Sequence, residues 1–292
     1  MARADRRRYP DPAYAALRRK LSDFHGATPE RIAVGAGASE LVMRAVSVVD
    51  GPVLVRLPTF VEYAKAAAAL RRELLVSRDD DEFLDLLPRA SVAFLCHPNN
   101  PDGRLYPAGF LESVGEVAAH SGARVILDLA YAPLCESMGP IPENLCHLWA
   151  PNKAMDCAGV RAGYLVASDN AFASRLESLA PSWILSSEGV ELLMEFVEPS
   201  TWAWFEATRP AVWQLRRELA ALLLERNWQV EEGEANFLVA RPPTPHTAAE
   251  VASHLRSRGI RVRDCANMGL PGWLRLAARP RLEIEHLRSG LG

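Results

Sequence analysis

The chain has 292 residues, 49% apolar and 24% charged, with a formal charge of −3: an ordinary globular composition, long enough for one large domain or for a large and a small one. It lacks the basic footprint that nucleic-acid binding requires, no apolar run approaches the roughly 18 residues of a spanning helix, and no signal-peptide core follows residues 1–8, so a cytoplasmic protein without nucleic-acid or membrane partners is expected. Five scattered cysteines form no CxxC pair and seven histidines show no HExxH spacing, which predicts reduced thiols and no metal.

Residues 1–24 are expected to form an N-terminal arm and helix lying near the small domain. From about residue 30, short β-rich runs alternate with helical ones: strands at 32–34, 53–56, 73–76, 91–96, 124–127 and 163–167, helices at 39–49, 61–70 and 107–120. This pattern predicts an α/β fold over residues 25–195, with an open, mainly parallel sheet covered by helices on both faces. Sites in such sheets gather at the carboxyl ends of strands. Residues 196–292 read as a smaller α+β domain, with helices at 201–226 and 248–258 and strands at 228–231, 236–240, 260–263 and 273–277. Pro242, Pro243 and Pro245 make a stiff turn inside it.

Lysine is scarce: Lys20, Lys65 and Lys153 are the only lysines among 33 basic residues. An amine that loses its proton forms Schiff bases and a guanidinium does not, so Lys153, in a small-residue stretch ending at Gly163, invites a chemical reading beside that of a solvated surface cation. Four strand ends add to it. Gly35-Ala36-Gly37-Ala38-Ser39 is either a phosphate turn at a helix N-terminus or an ordinary strand-to-helix turn. Phe60 is either a ring-stacking face or a core aromatic. The run from His97 to Gly103, with two prolines and a glycine, fixes a rigid turn that presents Asn100. Asp128 ends an apolar strand, where a buried charge requires a partner, and Tyr131 follows three residues later; a helix cap would explain the aspartate but not the tyrosine.

In this order the motifs resemble the fold-type I pyridoxal-phosphate enzymes of the aminotransferase class I/II superfamily, and within it the histidinol-phosphate aminotransferases and threonine-phosphate decarboxylases. The resemblance runs from about Tyr9 to Leu287 and implies a seven-stranded large domain, pyridoxal 5'-phosphate as cofactor and a homodimer with shared sites. It implies that Lys153 is the Schiff-base lysine and proton shuttle, that Asp128 partners the pyridinium nitrogen, and that Asn100 and Tyr131 bind the phenolic oxygen. Phe60 would stack on the ring, Gly37, Ala38, Ser39 and Arg161 would hold the phosphate, and Tyr9 would reach the phosphate of the neighbouring subunit. Arg275, Arg263 and Asn236 match substrate positions, and paired guanidinium forks suit an acidic or phosphorylated amino substrate.

The chain also departs from the pattern. Asn152 and Ala150 stand where hydroxyl donors to the phosphate are usual, so either cofactor affinity is lowered or Asn152 compensates. Only eight residues precede Tyr9, where the family carries several dozen, and substrate closure is expected to differ. Asp102-Gly103-Arg104 leans toward the decarboxylases. The expected activity is transamination of small amino and keto acids; a phosphothreonine-type decarboxylase is the alternative, and a shortened, non-catalytic binding homologue is the reading from another class.

Overall fold

The computed structural model describes residues 4–291. Its larger sheet holds β1 (Ile32–Gly35), β2 (Val53–Arg56), β3 (Leu74–Ser77), β4 (Val92–Cys96), β5 (Arg124–Asp128), β6 (Cys146–Trp149) and β7 (Gly163–Val166), in the spatial order β1-β7-β6-β5-β4-β2-β3. All pairings from β3 to β6 are parallel. β7 is antiparallel to both β1 and β6, so β1 runs in the direction of β6. The carboxyl ends of β1, β2, β4, β5 and β6 and the amino end of β7 therefore share one edge, and every motif singled out in this part of the sequence lies there.

The strands are apolar on both sides because both faces are covered. Ile32, Val34, Leu54, Leu95, Val125 and Leu127 point into one core, and Ala33, Val53, Val55, Phe94 and Ile126 into the other, as the two-residue period of a strand demands. The first core is closed by α1 (Ala15–His25) and by later helices, the second by α2 (Ala38–Ser47) and α3 (Val61–Ala69). Next come α4 (Asp80–Leu86), α5 (Ala108–Ser121), α6 (Asn170–Ser178), α7 (Ser187–Phe196) and the 26-residue α8 (Pro199–Leu224). The small sheet is antiparallel, with β8 (Gln229–Glu232), β9 (Phe237–Arg241), β10 (Arg263–Asp264) and β11 (Leu274–Ala277) in the order β10-β11-β9-β8. α8, α9 (Ala248–Ser257) and α10 (Arg281–Gly290) cover one of its faces.

Several elements differ from the sequence reading. α4, α6, α7, α10 and β6 were not expected; β6 is a four-residue strand interrupted by the polar His147, too short for a periodic signal. The strand expected at 260–263 shrinks to β10, because the Ile260 amide closes α9 by bonding to the Leu255 carbonyl behind Gly259 in the left-handed region (φ 78°). The expected boundary at 195/196 falls in the last turn of α7. α1 packs on β1 and α7, and it meets the start of α8 through a Lys20–Glu198 ion pair and the stacking of Phe24 on Trp202, 5.5 Å between ring centres.

Backbone contacts join the two sheets. Gly103, after β4, and Gly233, after β8, meet so closely that a Cβ on Gly233 would lie 2.4 Å from the carbonyl carbon of Gly103. The Glu234 amide donates to the Gly103 carbonyl at 2.6 Å, and the Thr59 amide to that of Met268 at 3.0 Å. Among the described residues no helix is long and apolar enough to cross a membrane.

Candidate active site

At the shared strand edge, beneath β10 and β11, lies a cleft of about 320 Å³. Ala38, Ser39, Phe60, Asn100, Asp128, Tyr131, Lys153, Arg161, Arg263 and Arg275 all line it. The topology accounts for the convergence. Asp128 is the last residue of β5, Asn100 and Lys153 each lie four residues beyond β4 and β6, Phe60 precedes α3, and Arg161 precedes β7.

Asp128 is 2% exposed. Its Oδ2 accepts the Tyr63 hydroxyl at 2.8 Å and its Oδ1 accepts the Ala130 amide at 3.0 Å. Burial raises its pKa, while Tyr63, Ala130 and the charge of Lys153 oppose the rise. A carboxylate so desolvated has strong use for a cation or an N–H donor in the cleft, and each of its oxygens retains a lone pair for one.

Lys153 is held in a turn, its amide bonded to the Ala150 carbonyl at 3.3 Å. Desolvation by the surrounding protein lowers its pKa, helped by the charges of Arg161 and Arg275 and opposed by Asp128. The shift favours the neutral, nucleophilic amine.

The turn after β4 divides two amides between two tasks. Asn99 is spent internally: its Nδ2 donates to the Pro58 carbonyl at 2.8 Å and to Asp102 at 2.7 Å, and its Oδ1 accepts from Thr59 at 3.2 Å. Asn100 faces the cleft, where its Oδ1 accepts from Nη1 of Arg275. Asp102 also accepts the Arg104 amide at 3.1 Å, and the Arg104 guanidinium stacks on Tyr106, 4.6 Å from its ring centre. The residues that leaned toward the decarboxylases thus brace the turn. Arg275 further rests on Phe237, 4.8 Å from the ring centre, and Phe237 meets Tyr131 edge-on at 4.9 Å.

The opposite end of the cleft is built for an anion. α2 opens on Gly37 and, like α1, α3, α5, α8 and α10, has no side-chain cap, so its first amides are left free at the end of the cleft. Gly37 has φ 92°, and a Cβ there would lie 2.9 Å from an Arg161 nitrogen, so glycine admits the guanidinium beside the helix end. Amide donors, the Ser39 hydroxyl and Arg161 surround one space. The full donor set suits a phosphorylated aldehyde with a basic ring nitrogen: an amine with lowered pKa, a buried carboxylate, an amide and a phenol, and an anion seat.

Three expected residues stay outside the lining. Gly37 acts one step back, by admitting Arg161. Tyr9 is 76% exposed and stacked on Trp183 at 4.5 Å, so its expected role requires a second subunit. Asn236 holds the Ala278 amide with its carbonyl at 2.8 Å and is not among the residues that line the cleft. Sequence reasoning missed Tyr63, Cys96, Met268 and the rim pair Glu62–Lys65, bonded at 2.8 Å. The scarcity of lysine was the one signal that marked Lys65.

The family model for aminotransferase class I and II matches residues 2–291. Histidinol-phosphate aminotransferase 1 of Burkholderia pseudomallei (strain K96243) is 30% identical over 98% of this chain and 82% of its own length. A threonine-phosphate decarboxylase of Salmonella typhimurium (strain LT2) is 28% identical, over 97% of this chain and 82% of its own. The crystal structure of histidinol-phosphate aminotransferase from Sinorhizobium meliloti in complex with pyridoxal-5'-phosphate has the same fold, with a TM-score of 0.86 at 21% identity, covering 99% of this chain and 83% of that one.

Proposed function

This chain belongs to the aminotransferase class I and II family, and from that premise we infer that it is a pyridoxal-phosphate-dependent aminotransferase for an amino substrate carrying an acidic or phosphate group. The observation that carries the reading is the meeting of Lys153, Asp128, Asn100 and Arg275 in one cleft. The relatives that act on histidinol phosphate support the substrate class.

Pyridoxal phosphate, when bound, supplies an aldehyde that captures an amine and a ring that withdraws electrons from the bond being broken. Lys153 would hold the aldehyde carbon, and Asp128 would keep a proton on the ring nitrogen. Asn100 and Tyr131 would bind the phenolic oxygen, and Phe60 would lie against the ring. Ala38, Ser39 and Arg161 would take the phosphate. Arg275 orients the substrate by gripping its acidic group, exchanging its bond with Asn100 for paired bonds to a carboxylate or phosphate. Arg263, exposed and bonded to Asn267 at 3.0 Å, adds positive charge at the mouth. Freed when the substrate amine takes its place on that carbon, Nζ of Lys153 would take the proton from the substrate α-carbon. A cytoplasmic homodimer completes the reading, supported by five unpaired thiols and by the exposed Tyr9.

The test is a visible spectrum of the purified protein with added pyridoxal phosphate, wild type beside Lys153→Ala. A band from lysine-bound cofactor is expected in the first and not in the second; a band in both, or in neither, rejects the assignment. Decarboxylation is the second reading, supported by the Salmonella relative. Parallel assays for keto acid and for carbon dioxide separate the two.

A further inference from the structure

Asn152 is 1% exposed, and among the described residues neither its Nδ2 nor its Oδ1 has a hydrogen-bond partner. Leaving a buried polar group unpaired costs about 1–3 kcal/mol, and native interiors tolerate few such groups. The residue is not loosely held: its carbonyl accepts the Cys157 amide at 2.9 Å, which fixes the turn that also carries Lys153. A side chain with only a packing task would not keep two polar atoms there. This amide lines the cleft, so its missing partner is whatever the cleft binds.

The neighbours specify that partner. The uncapped start of α2, the Ser39 hydroxyl and the Arg161 guanidinium are donors lining the same space, and four donors in one place call for an anion with several acceptor oxygens. A carboxylate, with two oxygens, leaves part of that set unused; a phosphate monoester, with three terminal oxygens, does not. Next to such an anion Nδ2 is the favourable end of the amide, because Oδ1 would repel it.

We propose that Asn152 binds the phosphate group of the cofactor, donating from Nδ2 alongside Ser39, Arg161 and the amides that open α2. The proposal rests on the cofactor reading given above and extends it to a residue whose type provides no hydroxyl. It also accounts for Asn152 beside a lysine: a neutral amide binds the phosphate without adding a second cation next to Nζ.

The experiment titrates cofactor-free protein with pyridoxal phosphate and, separately, with pyridoxal, which lacks the phosphate. Wild type, Asn152→Ala and the isosteric Asn152→Asp are compared by equilibrium binding. Asn152→Ala is expected to weaken pyridoxal phosphate about tenfold or more and to leave pyridoxal within about twofold, the signature of one lost bond to a charged group. Asn152→Asp, which sets a carboxylate against the phosphate, is expected to lose more, again with pyridoxal spared. Inorganic phosphate should raise the melting temperature of wild type more than that of Asn152→Ala. Equal loss of both ligands, or pyridoxal phosphate bound by the variants as tightly as by wild type, overturns the proposal and leaves the cofactor reading standing. Should Asn152→Ala not fold, Asn152→Asp decides by the same ratio. A wild type that binds no pyridoxal phosphate removes the cofactor reading, and this proposal with it.

Discussion

The hydroxyl of Tyr63 donates to Oδ2 of Asp128 across 2.8 Å, with the tyrosine 0% and the aspartate 2% exposed. The bond opposes the rise that burial imposes on the Asp128 pKa. Tyr63→Phe should keep the ring stacked on Phe94, 4.7 Å away and within 5° of parallel, while removing the donor. Asp128 then titrates higher, so the acidic limb of the kcat profile moves to higher pH and kcat falls about ten- to a hundredfold. A pH–rate profile identical to that of wild type would reduce Tyr63 to packing.

Lys153 should also report its neighbours. Its pKa lies below the ordinary 10.5, partly because of the Arg275 charge, and only the neutral amine captures an aldehyde. Arg275→Met removes one cation, so the lysine should hold its proton to higher pH. The expected result is a midpoint for cofactor capture shifted upward, read by absorbance against pH; an unchanged or lowered midpoint contradicts the proposed coupling.

The two substrate arginines are not equal. Arg275→Lys keeps the charge and loses the planar fork, and should raise KM for an acidic amino substrate about tenfold or more with a smaller change in kcat. Arg263→Ala, at an exposed residue already bonded to Asn267, should change KM by less than about threefold, as expected for a charge screened by solvent. Steady-state kinetics with a phosphorylated donor decide the order.

Asp128→Asn should separate stability from activity. The fold raises this acid above its ordinary 3.8 through burial, so the ionised form is the one the fold disfavours. That penalty is present above the folded pKa and absent below the unfolded one. The variant without cofactor should therefore melt higher than wild type at neutral pH, lose that advantage below pH 3.8, and transaminate very poorly. Thermal melts at the two pH values check the sign.

Gly233→Ala should damage the interface between the sheets. Its Cβ would lie 2.4 Å from backbone atoms at Asp102 and Gly103, which cannot swing aside as a side chain can. A loss of about 1–3 kcal/mol and a lower melting temperature are expected, with substrate KM raised as Arg275 shifts against Asn100. Gly139→Ala, whose Cβ meets nothing within 4 Å and which, like Gly233, lies outside the left-handed region, is the control for an added methyl without a clash.

Most of the site was legible because a parallel sheet converts position in sequence into position in space. Asp128 ends one strand and Asn100 follows another whose carboxyl end shares the same edge, so recognising those strands gathered the two residues. Tyr63 was not legible, since within the run Val61 to Leu70 it has the pattern of a core aromatic and only the tertiary fold aims its hydroxyl. β6 escaped for lack of length, although Lys153, just beyond it, was found through composition. Asn236, expected at the substrate, precedes β9 and is not among the residues that line the cleft.

Where Gly103 crosses Gly233, the distance between the two sheets is set by main chain alone. Drift at Lys65 or Glu62 alters the charge at the rim of the cleft without changing that distance. Selection for a new substrate thus has the rim to work on, while two positions that carry no side chain keep the halves in register.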